Sequence, residues 1–190
     1  DLYRPYKPKR KTRASVARAR GLEPLAEALL AQDAKLDVVA AAEGYINEEV
    51  PDAEAALAGA RDIIAEQVSD DAALRAQLRR FYQTFGLVKS RAAKEEDSVY
   101  AGYYDFSQAV NKIAGHRVLA LDRGEREGFL KVTVEVDAEK AVGGSCKMFV
   151  RGRSAAAEQV EAAVRDAYAR LIHPSLEREV RAALTEQAAE

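Results

Sequence analysis

Residues 129–136 read FLKVTVEV, and this short run sets the hardest condition on how the chain folds. Leu130, Val132, Val134 and Val136 alternate with Lys131, Thr133 and Glu135, which places one apolar row on one face of a strand. A strand cannot stand alone, because its backbone N–H and C=O groups need partners. The partner is expected either in residues 147–151 (KMFVR), returning as a hairpin, or outside this chain.

Most of the remaining chain is written in the helical period. Pro5 and Pro8 keep residues 4–8 extended, since the residue before a proline avoids α geometry. Thr12 caps a first short helix that ends at Gly21. Pro24 suits the first turn of a second helix carrying Leu25, Leu29 and Leu30. A third helix covers about 36–43 and stops at Gly44, and a fourth, about 52–67, carries Leu57, Ala60, Ile64 and Val68. Ser69 or Asp70 is expected to cap a fifth, whose face is Leu74, Leu78, Phe81, Tyr82 and Phe85, with Gly86 at its end. Residues 87–99 are polar and read as a loop, followed by an aromatic cluster and short helices at about 107–113 and 115–124. From Ser154 onward Val160, Val164, Tyr168, Ile172, Leu176, Val180 and Leu184 recur every four residues. Such a stripe drifts round a straight helix, so a kink or break is expected at Pro174.

The fold class that follows is mainly α, a helical bundle or scaffold with one short strand or hairpin near 129–150. The sequence holds 38 alanines, and without them its apolar fraction drops from 48% to about 28%. Alanine favours helix and adds little to a core, so the packing is thin. The expected organisation is a basic extended arm with the first helix over 1–20 and a helical region over 21–128. A short β element and connector over 129–153 then leads to a long final helix over 154–190, broken at Pro174.

Charge is unevenly spread. Residues 1–20 hold eight basic side chains against Asp1 alone, a local charge of +7, while the rest of the chain carries −9. Arg4, Lys7, Lys9, Arg10, Lys11 and Arg13 are therefore the candidate phosphate contacts, with Tyr3 and Tyr6 available to stack on bases. The bland alternative is a solvated charged arm packed by its tyrosines.

No other motif carries chemistry. One Cys excludes a disulfide framework, and two His with one Cys cannot fill a zinc site without carboxylates. Cys146 reads as a buried small residue, His116 as a helix-start residue and His173 as a packing residue at a helix break. Residues 143–147 (GGSCK) fail the Walker pattern, and RGEREG at 123–128 follows a helical pattern rather than a strand. No catalytic residue, metal site or cofactor is expected. No run of 18 apolar residues and no signal peptide is present, so no membrane association is expected. The chain opens on Asp rather than Met and is expected to be a piece of a longer protein.

Three stretches in this order resemble one family: LYRPYKPKRKTRASVARARGLEPLAEALL, YYDFSQAVNKIAGHRVLALDRGEREGFLKV and DAYARLIHPSLEREVRAALTEQAAE, with ALAGARDIIAE between the first two. They resemble the Tex family of bacterial transcription accessory proteins. The resemblance implies a modular protein: a helical region with a helix-turn-helix-like part, then a YqgF (RNase H-like) domain, a helix-hairpin-helix part and an OB-fold domain. The present chain is similar to the helical region, ending just before the YqgF-like domain. What this implies is a non-catalytic region that binds nucleic acid, RNA or DNA, and supports transcription in the cytoplasm. Its expected partners are nucleic acid, the other domains of the same full-length chain and the transcription machinery. The alternative is a pure scaffold or protein-interaction module that positions the other domains.

Overall fold

The computed structural model describes residues 11–190. In chain order the elements are α1 (Arg13–Ala19), α2 (Glu23–Ala31), α3 (Val38–Glu43), α4 (Ala53–Ser69) and α5 (Ala72–Phe85). They continue with β1 (Leu87–Ala92), β2 (Asp105–Ala109), α6 (Gly115–Arg126), β3 (Leu130–Glu135), α7 (Ala138–Phe149) and α8 (Ala155–Asp166). A π-helical segment, Ala167–Ile172, precedes α9 (His173–Ala188). The fold is thus mainly α with a small antiparallel sheet. The chain forms two compact units. One joins the residues up to Val68 with Phe149–Asp166, and the other joins Ser69–Met148 with Ala167–Glu190.

The first unit is helical and packs through small side chains. Thr12 and Ser15 cap α1 reciprocally: the Ser15 N–H donates to Thr12 Oγ1 at 3.0 Å and the Thr12 N–H to Ser15 Oγ at 2.9 Å. Asp37 caps α3, Asp52 caps α4 and Ser154 caps α8 in the same way, each accepting a first-turn N–H. Ala14, Ala17, Ala26, Ala56, Ala60, Ala156 and Ala163 are buried among Leu22, Leu25, Leu29 and Ile63. Helix α2 lies against α8. Gly59 lets α4 come close to the α1–α2 corner: a Cβ there would come within 2.3 Å of Leu22 Cδ1. Gln32 ends α2 in the left-handed region, at φ 53°. Its side chain offsets that strain, donating to the Phe149 carbonyl at 2.9 Å and accepting from the Arg151 N–H at 2.7 Å.

The second unit supplies the strand's partner. β3 pairs antiparallel with β1, Val134 opposite Val88 and Val132 opposite Ser90, and β1 pairs in turn with β2. Neither the expected return at 147–151 nor a strand outside the chain is needed. Lys147–Phe149 belong to α7 instead. The polar run that reads as a loop contains β1, and residues 105–109, whose latter part reads as helix, are β2. Both strands turn few strong apolar residues inward, so alternation does not reveal them. On β1 the inward pair is Val88 and Ser90, and buried Ser90 gives its hydroxyl to the Tyr103 carbonyl at 2.6 Å.

Residues 138–149, expected as connector and returning strand, form α7 despite Gly143 and Gly144. Asp137 accepts the Lys140 N–H at 3.1 Å, and burial of Ala141, Val142 and Ser145 outweighs the glycines' poor propensity, a cost of about 1 kcal/mol each. The cap of α5 is Asp71 rather than Ser69 or Asp70. Leu74, Leu78 and Tyr82 are buried on α5 as its periodicity predicts, but Phe85 is 65% exposed.

The inner face of the sheet, Val88, Leu130, Val132 and Val134, is covered by α6 and α9 through Val118, Leu121, Leu176 and Val180. Gly124 is required by this packing, because a Cβ would meet Leu130 Cδ1 at 2.5 Å. Side chains close the outer edge of β3. The Val132 N–H donates to Glu125 at 3.2 Å and the Val134 N–H to Glu177 at 2.7 Å. Arg181 donates to the Val132 carbonyl at 3.3 Å, and to Asp122 and Glu125 at 2.9 Å each. Backbone groups that would otherwise template another strand are thereby satisfied. Pro174, which brings no N–H to the helical ladder, follows directly on the π-helical segment and stands in the first turn of α9. The departure from α geometry comes just before it, in the π-helical segment.

Candidate nucleic-acid interface

Four of the six sequence-predicted contacts, Arg4, Lys7, Lys9 and Arg10, lie outside the described residues, as do Tyr3 and Tyr6. The other two, Lys11 and Arg13, stand exposed at the start of α1. Among the described residues neither has an ion-pair partner. They border an open groove of about 500 Å³ between α1 and α4, with Val16, Ala17, Ala58 and Gly59 as its apolar part and Arg20 and Asp62 also on its wall.

The remaining cations of the basic stretch behave differently. Arg18 points back across the unit and is held by Glu23 at 2.8 Å and Glu66 at 2.6 Å. The Glu66 hydrogen bond holds the Arg18 guanidinium above its ordinary pKa, and the Glu23 contact adds to this against the cost of burial. Arg20 lies 3.8 Å from Glu49. Glu66 also accepts from the Thr12 hydroxyl at 3.3 Å, which ties the cap of α1 to α4. The structure therefore splits the described part of the basic stretch into two unpaired cations and two paired ones. The split is invisible in sequence because Glu66 lies 48 residues beyond Arg18.

Elsewhere the polar side chains build structure. Buried Tyr82 is the centre of a hydrogen-bonded chain in the second unit: its hydroxyl lies 2.6 Å from the Tyr168 hydroxyl and 2.5 Å from His173 Nδ1. Burial pushes both tyrosine pKa values up. His173 is thus a partnered packing residue, while His116 is exposed in the first turn of α6. Cys146, expected to be buried, is only half-buried. Among the described residues no three of His, Cys, Asp and Glu gather as metal ligands would. No helix among them is long and apolar enough to cross a membrane.

Residues 33–190 match the family model described as Tex central region-like, and the chain belongs to that family. It is 42% identical over its whole length to the uncharacterized protein YdcI of Bacillus subtilis, of which it covers 27%. It is 43% identical to the transcriptional accessory protein Tex of Neisseria gonorrhoeae, over 71% of this chain and 18% of that protein. A human protein named S1 RNA-binding domain-containing protein 1 is 31% identical over 97% of this chain and 20% of its own length. The chain thus spans about a quarter or less of these relatives.

Proposed function

We propose that this chain is a non-catalytic helical region of a Tex-like transcription accessory protein, and that it contacts RNA or DNA through Arg4, Lys7, Lys9, Arg10, Lys11 and Arg13. The observation that carries the reading is that, among the described residues, Lys11 and Arg13 have no ion-pair partner while Arg18 and Arg20 do. Arg13 opens α1, where the helix dipole disfavours a cation, so helix stability does not account for it. Unpaired cations on a surface groove neutralise phosphates and so release the counterions condensed on a nucleic acid. The names of the relatives, a transcriptional accessory protein and an S1 RNA-binding domain protein, agree with this ligand class. The wider reading includes the helix-turn-helix-like part, a cytoplasmic location and partners in the transcription machinery. In it, residues 154–190 lead toward a YqgF-like domain of the same full-length chain.

The test replaces Lys7, Lys9, Arg10 and Lys11 with Ala and measures RNA and DNA binding at two salt concentrations. The reading expects weaker binding and a shallower salt dependence. Unchanged affinity and slope remove the segment from the interface. A second reading, a scaffold that positions the other domains without binding nucleic acid, draws on the Arg18–Glu23–Glu66 network, which spends basic charge on internal bracing. It expects no binding by this chain under either condition.

A further inference from the structure

We propose that the groove between α5 and α7 in the second unit binds single-stranded nucleic acid, one base stacking on Phe85 and flanking phosphates meeting Arg80 and Lys140. This inference shares its ligand class with the reading above but rests on different residues. The groove measures about 430 Å³ and is lined by Leu78, Phe81, Phe85, Arg80, Lys140 and Gly144, among others. Leu78 is buried at its base, whereas Phe85 is 65% exposed and leans on Phe81 with ring centroids 5.4 Å apart. A large ring held by a neighbouring ring yet open to solvent on its other side is a stacking platform, and stacking accepts any base.

The charge around the ring is of one sign. Arg80 and Lys140 are exposed, and among the described residues neither side chain has an ion-pair or hydrogen-bond partner. Among those residues no carboxylate lines the groove. Lys147 follows Lys140 by two turns of α7 and shares its face with Gly144. A Cβ added at Gly143 would meet nothing within 4 Å, and one at Gly144 would meet only the Gln77 amide, at 3.3 Å. The α7 backbone is therefore open at Gly143, while at Gly144, on the groove wall, the end of the Gln77 side chain lies over it. An acidic helical peptide also fits cations, but it needs a trough for a row of anchors at i, i+3, i+4 and i+7. A groove of about 430 Å³ with one exposed ring suits a single planar group and its phosphate.

The experiment titrates fluorescein-labelled oligo-U and oligo-dT of about twelve nucleotides against the intact chain by anisotropy. Phe85→Ser is expected to weaken binding about fivefold or more, and Arg80→Glu/Lys140→Glu to flatten the salt dependence by about one to two units of slope. Bromouridine placed in the oligo-U is expected to crosslink within α5 or α7. Circular dichroism checks each variant. If Phe85→Ser fails to fold, the charge-reversal variant, which touches only exposed side chains, decides the matter. Unchanged affinity and slope with no crosslink on either helix overturn the proposal, as does an acidic peptide that binds at Phe85 where the oligonucleotides do not. The Lys7/Lys9/Arg10/Lys11→Ala variant is run alongside. Weaker binding in that variant alone sinks the groove and leaves the basic segment standing, and weaker binding in the groove variants alone does the reverse.

Discussion

The two units hold themselves together by different means. The first packs helices through alanine and Gly59 around Leu22, Leu25 and Leu29, and its buried surface is almost wholly apolar. The second buries the hydroxyls of Tyr82 and Tyr168 against half-buried His173, and holds half-buried Arg181 with Asp122 and Glu125. Small-residue packing lets backbones approach and needs no specific partner. A buried polar network fixes one arrangement because each group left unpaired is costly. The first unit is therefore expected to tolerate apolar exchange of similar size, and the second to respond to removal of single polar atoms.

The largest expected effect is common to both and sets the scale. Leu25→Ala in the first unit and Leu176→Ala in the second each empty a fully buried site and should cost about 2–5 kcal/mol. Chemical denaturation followed by hydrogen exchange should show each variant loosening its own unit first. Equal deprotection of both units would erase the distinction. Next, Arg181→Ala should cost about 1–3 kcal/mol, since Asp122 and Glu125 lose their cation and keep only the Thr185 hydroxyl and the Val132 N–H, and the Val132 carbonyl loses its donor. Burial opposes the Arg181 charge, but the two carboxylates more than offset it and its pKa stays above the ordinary value. A neutral outcome would show that the edge of β3 does not need its side-chain closure.

Smaller is Tyr82→Phe, which removes one hydroxyl shared by Tyr168 and His173 and should cost about 1–2 kcal/mol in urea unfolding. No change would place the network's strength in its rings rather than its hydrogen bonds. The smallest is the half-exposed Arg79–Glu179 pair, worth about 0.5 kcal/mol or less. The Arg79 hydrogen bond lowers the Glu179 pKa below its ordinary 4.5. Its contribution is therefore present above that value and lost as pH falls through the lowered one. Glu179→Gln should remove that acid-side decline from the stability curve, and a variant that keeps it would assign the decline to other carboxylates.

The same contrast governs what is legible in sequence. Helices of the first unit announce themselves through Thr12 and Ser154, because capping is a matter of three residues. The strand at 130–135 is legible from its alternation, but its partner is not. β1 offers only Val88 and Ser90 inward, and the carbonyl that satisfies Ser90 belongs to Tyr103. The closure of β3 by Glu125, Glu177 and Arg181 depends on where α6 and α9 fall in space, which local pattern does not encode. Phe85 keeps the period of Leu74, Leu78 and Tyr82 and so reads as a core residue, yet it touches Phe81 on one side and stays 65% exposed. For the candidate interface, sequence shows the excess of positive charge. It does not show that Arg18 and Arg20 are engaged while Lys11 and Arg13 are not.

That last difference is the centre of the functional account, and salt dependence reads it directly. Oligonucleotide affinity is measured from low to moderate salt for the intact chain and for Lys11→Ala/Arg13→Ala, with circular dichroism confirming that both are folded. The account predicts weaker binding and a slope reduced by about one to two units, one for each phosphate that no longer meets a cation. An identical slope and affinity in the two folded proteins would contradict it.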